Sequence, residues 1–283
     1  MKVHMVKRFL LVLALPLLAT AAVKSEMLIS TEWLAAHLND SKVVVLHVAA
    51  NRTAYDAGHV PGARFVAQSE LVVTRDGIPN ELPPVADLQA LFEQLGVSDG
   101  TRIVLYGEAS MIPAARAYFT LDYLGHGEHA ALLDGGLDQW KRENRALSTE
   151  APIVAAGKLT PKVKADLVAK TDQVKQRAGF SLLDARSQTE YNGANGHIPN
   201  SQNVNWIDGQ VSRDNMTLQS EDALRKLYEA AGITPGKQVV TYCNSGMQAS
   251  VSYFTLKYLG YDVKLYDGSF SEWTRTPGTT VEK

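Results

Sequence analysis

A single cysteine, Cys243, heads the run Cys243-Asn244-Ser245-Gly246-Met247-Gln248-Ala249-Ser250, directly after the apolar stretch 238–242 and before a stretch that reads as helix to about residue 257. A loop passing from a strand end to a helix N-terminus aims several backbone N–H groups inward and adds the positive end of the helix dipole. Gly246 allows backbone angles that a side chain would forbid. Such a cradle favours an anion at its centre, here the Cys243 thiolate, which is a nucleophile. A lone cysteine is more often a small buried hydrophobe; the strand-loop-helix setting argues for chemistry. Arg186 follows the strand-like run 180–184 and is expected on the same sheet edge, its planar fork placed to clamp an oxyanion. Ser245 has two open uses, a helix cap or a substrate contact.

The elements that must position these residues occur twice. Gly58-His59-Val60-Pro61 recurs as Gly196-His197-Ile198-Pro199, and Val104-Leu105-Tyr106-Gly107 aligns with Val240-Thr241-Tyr242-Cys243. Tyr118-Phe119-Thr120-Leu121 recurs at 253–256, and Asp134-Gly135 with Trp140 recurs as Asp267-Gly268 with Trp273. A period this long marks a duplicated domain and not a solenoid or propeller. Runs 42–47, 102–106, 180–184 and 238–242 read as buried strands. Runs 85–95 and 221–230 carry apolar residues at helical spacing and stop at Gly96 and Gly232. Strands alternating with helices give an α/β class, two tandem domains each with a mostly parallel sheet flanked by helices. The division expected is 22–150, a linker within 145–161 (151–161 at its core), and 162–283. His59 and His197 are expected to hold backbone in their turns, and Trp140 and Trp273 to pack in the cores.

At 283 residues the chain has room for two such domains, and a net charge of -2 without polybasic runs excludes nucleic acid as an expected partner. Lys2, Lys7 and Arg8 precede the apolar run 9–18 and the small residues Ala19, Thr20, Ala21 and Ala22, the layout of a secretory signal peptide spanning 1–21. The apolar run is shorter than the roughly 20 residues of a membrane span. Cleavage after Ala21 would release a periplasmic or secreted protein with no membrane association. One cysteine forms no intramolecular disulfide, so stability must come from packing. His126 and His129 lack a third ligand in view, and no metal is expected. Gly135-Gly136 reads as a turn and not a dinucleotide site.

The Cys-x-x-Gly loop, the Asp184-Ala185-Arg186 run, Gly-His-x-Pro in both halves and the Asp-Gly-x-x-x-x-Trp endings together resemble the two-domain rhodanese family over nearly all of the chain beyond the signal peptide. The resemblance implies a sulfurtransferase that needs no cofactor and carries sulfur as a Cys243 persulfide. The donor would be held by Arg186 and the loop residues Asn244, Ser245, Gly246, Met247 and Gln248. It also implies an inactive, structural first domain, which has Gly107 in place of Cys243. Partners would be a small sulfur donor and a thiophilic acceptor, either a small molecule or a protein. A related fold serves Cys-x5-Arg phosphatases, but that Arg position is Ala249 here, which disfavours phosphate chemistry. By resemblance, Ser245 favours mercaptopyruvate as donor. The missing basic residue near Tyr191 and the presence of His47 where those relatives place an Asp argue against it, although His59 keeps their His position. Together with export, this leaves thiosulfate as the expected donor and mercaptopyruvate as the alternative.

Overall fold

The computed structural model describes residues 22–177 and 179–283; the expected signal peptide, 1–21, lies outside the described residues. In the first half β1 (Leu28–Ile29), α1 (Thr31–His37), β2 (Val43–Ala49), α2 (Thr53–Ala57) and β3 (Arg64–Ala67) lead to a hairpin of β4 (Val73–Arg75) and β5 (Ile78–Glu81). Then come α3 (Val85–Gln94), β6 (Arg102–Tyr106), α4 (Ile112–Tyr123), β7 (Ala130–Leu133) and α5 (Gly136–Arg142). The second half runs α6 (Thr171–Gln176), β8 (Phe180–Asp184), α7 (Gln188–Tyr191), β9 (Gln202–Asn203), α8 (Glu221–Ala230), β10 (Gln238–Tyr242), α9 (Met247–Tyr258), β11 (Val263–Leu265) and α10 (Ser269–Trp273).

Each half builds its own parallel sheet, in the order β1-β7-β6-β2-β3 and β11-β10-β8-β9. The central strands are β-branched runs buried on both faces, as a helix-covered parallel sheet requires. Registers match across the repeat: His47 pairs with Tyr106 as Asp184 pairs with Tyr242. His47 therefore stands where the second half has Asp184, and Ala49 where it has Arg186.

The segment joining the halves is strapped down. Leu159 is buried, Gly157 N–H donates to Glu93 O at 2.7 Å, and Lys162 N–H donates to Leu124 O at 2.8 Å. Helices α4 and α9 face each other across the seam, where the repeated Tyr-Phe pairs meet reciprocally. Tyr118 packs on Phe254 and Phe119 on Tyr253, each edge-to-face with ring centroids 5.0 Å apart, a favoured aromatic geometry. Asp122 of α4 accepts from Tyr253 Oη at 2.7 Å and pairs with Lys257 of α9 at 2.5 Å. Trp140 and Trp273 are buried, each donating Nε1–H to a carbonyl, of Ala146 and of Thr280, at 2.8 Å.

Candidate active site

Cys243, Asn244, Ser245 and Gly246 form the short turn between β10 and α9, and Gly246 sits in the left-handed region at φ 77°. A Cβ at Gly246 would lie 2.7 Å from Asp267 Oδ1, so both backbone angle and space demand glycine. The Cys243 thiol is buried, and burial pushes its pKa up. The amides of Ala249, Ser245 and Gln248 pull it down, and the Asp184 carboxylate pushes it up again. The inward-pointing amide ring expected from the sequence is present, but in the closed site desolvation outweighs it and the thiol is held above its ordinary range. The expectation that the loop alone would favour thiolate is corrected accordingly.

Both ends of the turn are tied to one residue that the sequence pattern did not single out. Ser269 Oγ accepts from Cys243 N–H at 3.2 Å and Gly246 N–H at 3.0 Å, and donates to Tyr266 O at 2.7 Å. Its signal was available in comparison of the repeats, since Asp134-Gly135-Gly136 becomes Asp267-Gly268-Ser269. The first half thus has glycine at both the nucleophile and the tether. A Cβ at Gly107 would lie 2.8 Å from Ser110 O, so that loop closes over the place a cysteine side chain would occupy.

The other expected site residues divide by where their side chains go. Arg186 reaches the Cys243 edge of the sheet but is buried, its Nε donating to both Asp184 carboxylate oxygens at 3.0 Å. Its Nη2 donates to Asp184 Oδ2 at 2.6 Å and to Gly196 O at 3.0 Å, and its Cζ lies 4.3 Å from the centre of the Phe270 ring. Burial would lower its pKa, but Asp184 raises it further. Two of the three guanidinium nitrogens, Nε and Nη2, are thus engaged with Asp184. Asn244 donates to Glu190 Oε1 at 2.8 Å, Met247 is buried, and the Gln248 side-chain oxygen has no hydrogen-bond partner among the described residues. Ser245 Oγ accepts from Asn80 Nδ2 at 2.8 Å, a contact from the other half of the chain.

His59 takes no part in the loop. Its ring stacks on Tyr55 and its nitrogens lie 2.8 Å from Tyr55 O and 3.2 Å from Glu150 O. His197 repeats the arrangement on Tyr191. Both hold turn backbone, as expected, and the first-half residue on Ser245 is Asn80. His47 is buried against Glu108, and His126 Nε2 lies 3.0 Å from Thr160 O.

Comparison with known proteins gives this geometry a lineage. The model of the rhodanese-like domain matches twice, over residues 30–143 and 164–276. The chain belongs to the rhodanese-like family. This rhodanese-like chain is 37% identical to the sulfur carrier protein TtuD of Thermus thermophilus, over 91% of this chain and 97% of that one. It is 34% identical to a thiosulfate sulfurtransferase of Pseudomonas aeruginosa, over 81% and 87%. Among solved structures it is similar to SseA of Escherichia coli, a 3-mercaptopyruvate sulfotransferase, at a TM-score of 0.77, with 26% identity, 86% of this chain and 98% of that chain covered. A structure of YnjE shares the fold at a TM-score of 0.82 and 23% identity, over 91% of this chain and 68% of that one. The rhodanese-like chain therefore sits among sulfurtransferases and a sulfur carrier, with the second copy of the domain holding the cysteine.

Proposed function

We propose that this sulfurtransferase takes sulfane sulfur from thiosulfate and passes it to a thiophilic acceptor through a persulfide on Cys243. The observation that carries the reading is the cysteine sulfur set inside the amide ring of Ser245, Gln248 and Ala249 at the head of α9. The Cys243 thiolate attacks the outer sulfur of thiosulfate; the new S–S bond forms as the bond to the sulfonate sulfur breaks, and sulfite leaves with that electron pair. The persulfide anion then gives its outer sulfur to cyanide or a thiolate, regenerating the Cys243 thiolate. Fixed amide dipoles stabilise charge on sulfur in both states without reorganising. Arg186, through its pair with Asp184, offsets a carboxylate that otherwise disfavours the thiolate. No step calls for a cofactor.

A second reading, persulfide carriage without efficient turnover, is favoured by the buried thiol and by the Arg186 fork already engaged with Asp184. It also agrees with the name of the Thermus relative. Steady-state rates with thiosulfate and with mercaptopyruvate, each against cyanide, separate the readings. Turnover with thiosulfate supports the first, a single stoichiometric sulfur gain by intact mass supports the carrier, and preference for mercaptopyruvate moves the donor assignment. Absence of sulfur on Cys243 with every donor would sink all three. We also propose export: protein recovered from the periplasm begins at about Ala22, and full-length protein confined to the cytosol would refute this.

A further inference from the structure

The two halves meet across an approximate twofold axis, and the places where the repeat is broken are informative. Leu82 N–H donates to Asp267 Oδ2 at 2.8 Å, and its counterpart Leu218 N–H donates to Asp134 Oδ1 at 2.8 Å. Arg275 donates to Gly77 O, and its counterpart Arg142 donates to Asp214 O. Two residues before each leucine the chain has positive φ, at Asn80 (62°) and Met216 (59°). On this shared frame, besides the nucleophile and its tether, two residues and one ion pair differ between the halves. Arg116 of α4 stands opposite Val251 of α9, Asn80 opposite Met216, and the ion-paired Asp267 opposite an Asp134 that has no salt bridge among the described residues.

Arg116 is fully buried. Its Nη1 donates to Asp267 Oδ1 at 2.5 Å, and its Nη2 to Asp267 Oδ2 at 3.3 Å and to Asn80 O at 2.8 Å. Asn80 in turn holds Ser245. A Cβ at Gly246 would lie only 3.3 Å from Arg116 Nη1, so the guanidinium backs directly onto the turn that aims the amides at sulfur. Its Nε has no hydrogen-bond partner among the described residues. A buried charge with an unsatisfied donor is costly, and the matching helix position does without one.

We propose that Arg116, from the half without a cysteine, is a positioning residue for the Cys243 cradle, fixing the Gly246 turn through Asp267 and the Ser245 side through Asn80. The first domain is then a working part of the sulfur site and not only a structural copy. This rests on the persulfide reading only for its transfer readout; thiol reactivity tests it independently. The charged groups around the turn are Asp184 at the end of β8, Arg186 after it, Glu190 of α7 through Asn244, Asp267 before α10 with Glu81 of β5 and Glu272 of α10 beside it, and Arg116 of α4.

The test measures alkylation of Cys243 by iodoacetamide across pH, sulfur loading in a single turnover, and Tm. Arg116→Met leaves the Asp267 carboxylate unpaired behind the turn; it is expected to slow loading about tenfold or more and move the alkylation midpoint to higher pH. Adding Asp267→Asn should bring the midpoint back toward wild type while loading stays slow, because the charge is gone but the strut is still missing. Asn80→Ala, which removes one contact at the rim, should slow loading severalfold, with only the modest loss of Tm that alanine brings at a left-handed position. An Arg116→Met protein that loses Tm but keeps wild-type loading and midpoint would overturn the proposal. If Arg116→Met does not fold, Asn80→Ala decides: wild-type loading there overturns it. Failure of wild type to take sulfur from any donor would count against the persulfide reading, leaving the alkylation profiles to judge Arg116.

Discussion

At the scale of single residues, the site is a balance between burial and oriented dipoles. Cys243 sits above its ordinary thiol range because desolvation outweighs three amides, with Asp184 adding to the rise. Its alkylation rate should therefore climb through a midpoint above the roughly 8.5 of a free cysteine, and donor-dependent loading should rise toward alkaline pH. A midpoint below neutrality would contradict this account. Cys243→Ser should take up no sulfur, since a hydroxyl is a far weaker nucleophile and cannot carry a persulfide. Arg186 behaves as the partner of a buried carboxylate and not as a free clamp. Arg186→Ala strands Asp184, which should cost about 3–5 kcal/mol of stability. It should also lower kcat/KM for an anionic donor roughly tenfold or more, because the stranded Asp184 carboxylate then pushes the Cys243 thiol further up. Arg186→Lys restores the charge without the fork and should recover only part of either loss. Chemical denaturation and donor kinetics on the same preparations check both effects.

Among elements, the strand-loop-helix turn is present in both halves, but only one is tethered for catalysis. Ser269 ties Cys243 N–H and Gly246 N–H together, while its counterpart Gly136 offers no hydroxyl and would place a Cβ 2.5 Å from Gly107 O. Restoring the nucleophile alone is therefore not enough. Gly107→Cys meets Ser110 O and lacks the tether, and in a Cys243→Ser background it should take up no sulfur by intact mass. Persistent loading at position 107 would show that the first loop retains a competent cradle. Conversely, Ser269→Ala leaves two buried amides without their shared acceptor, an expected cost of about 1–3 kcal/mol, and should slow loading with Cys243 still in place. Helix α8, capped by Ser220 Oγ accepting from Ala223 N–H at 3.4 Å, and helix α3, which has no such side-chain cap, are scaffolding on the same plan.

For the whole molecule, the approximate twofold seam gives each half a use for the other. The broken symmetry also has a price in stability at Asp134. Burial pushes its carboxyl up to about 6, against the pull of the Leu218 and Gly135 amides, and among the described residues no arginine answers it as Arg116 answers Asp267. An acid raised in the folded state stabilises the fold below its unfolded pKa of about 3.9, and that contribution is lost as pH rises through about 6. Asp134→Asn should remove this fall. The difference in Tm between variant and wild type should thus shift in the variant's favour between about pH 4 and 7, as thermal melts across that range would show. A difference independent of pH would mean that Asp134 titrates normally.

Much of this was legible in the amino-acid order. The β-branched or leucine-rich runs fix the central strands, with 102–106, 180–184 and 238–242 found as read and 42–47 shifted to Val43–Ala49. The repeat gives two parallel sheets, and Cys243 before Gly246 marks the cradle, because strand period, helix period and glycine's freedom are local properties. What local pattern could not contain was anything decided by partners distant in sequence. The thiol's pKa, for one, depends on how completely the site is closed. Ser269 became visible as a tether only when α10 folded back beneath the turn. Arg116 and Asn80, separated from Asp267 and Ser245 by well over a hundred residues, meet them only because α4 and α9 dock. Burial and long-range pairing are properties of the closed chain, and they set which side chains face the sulfur.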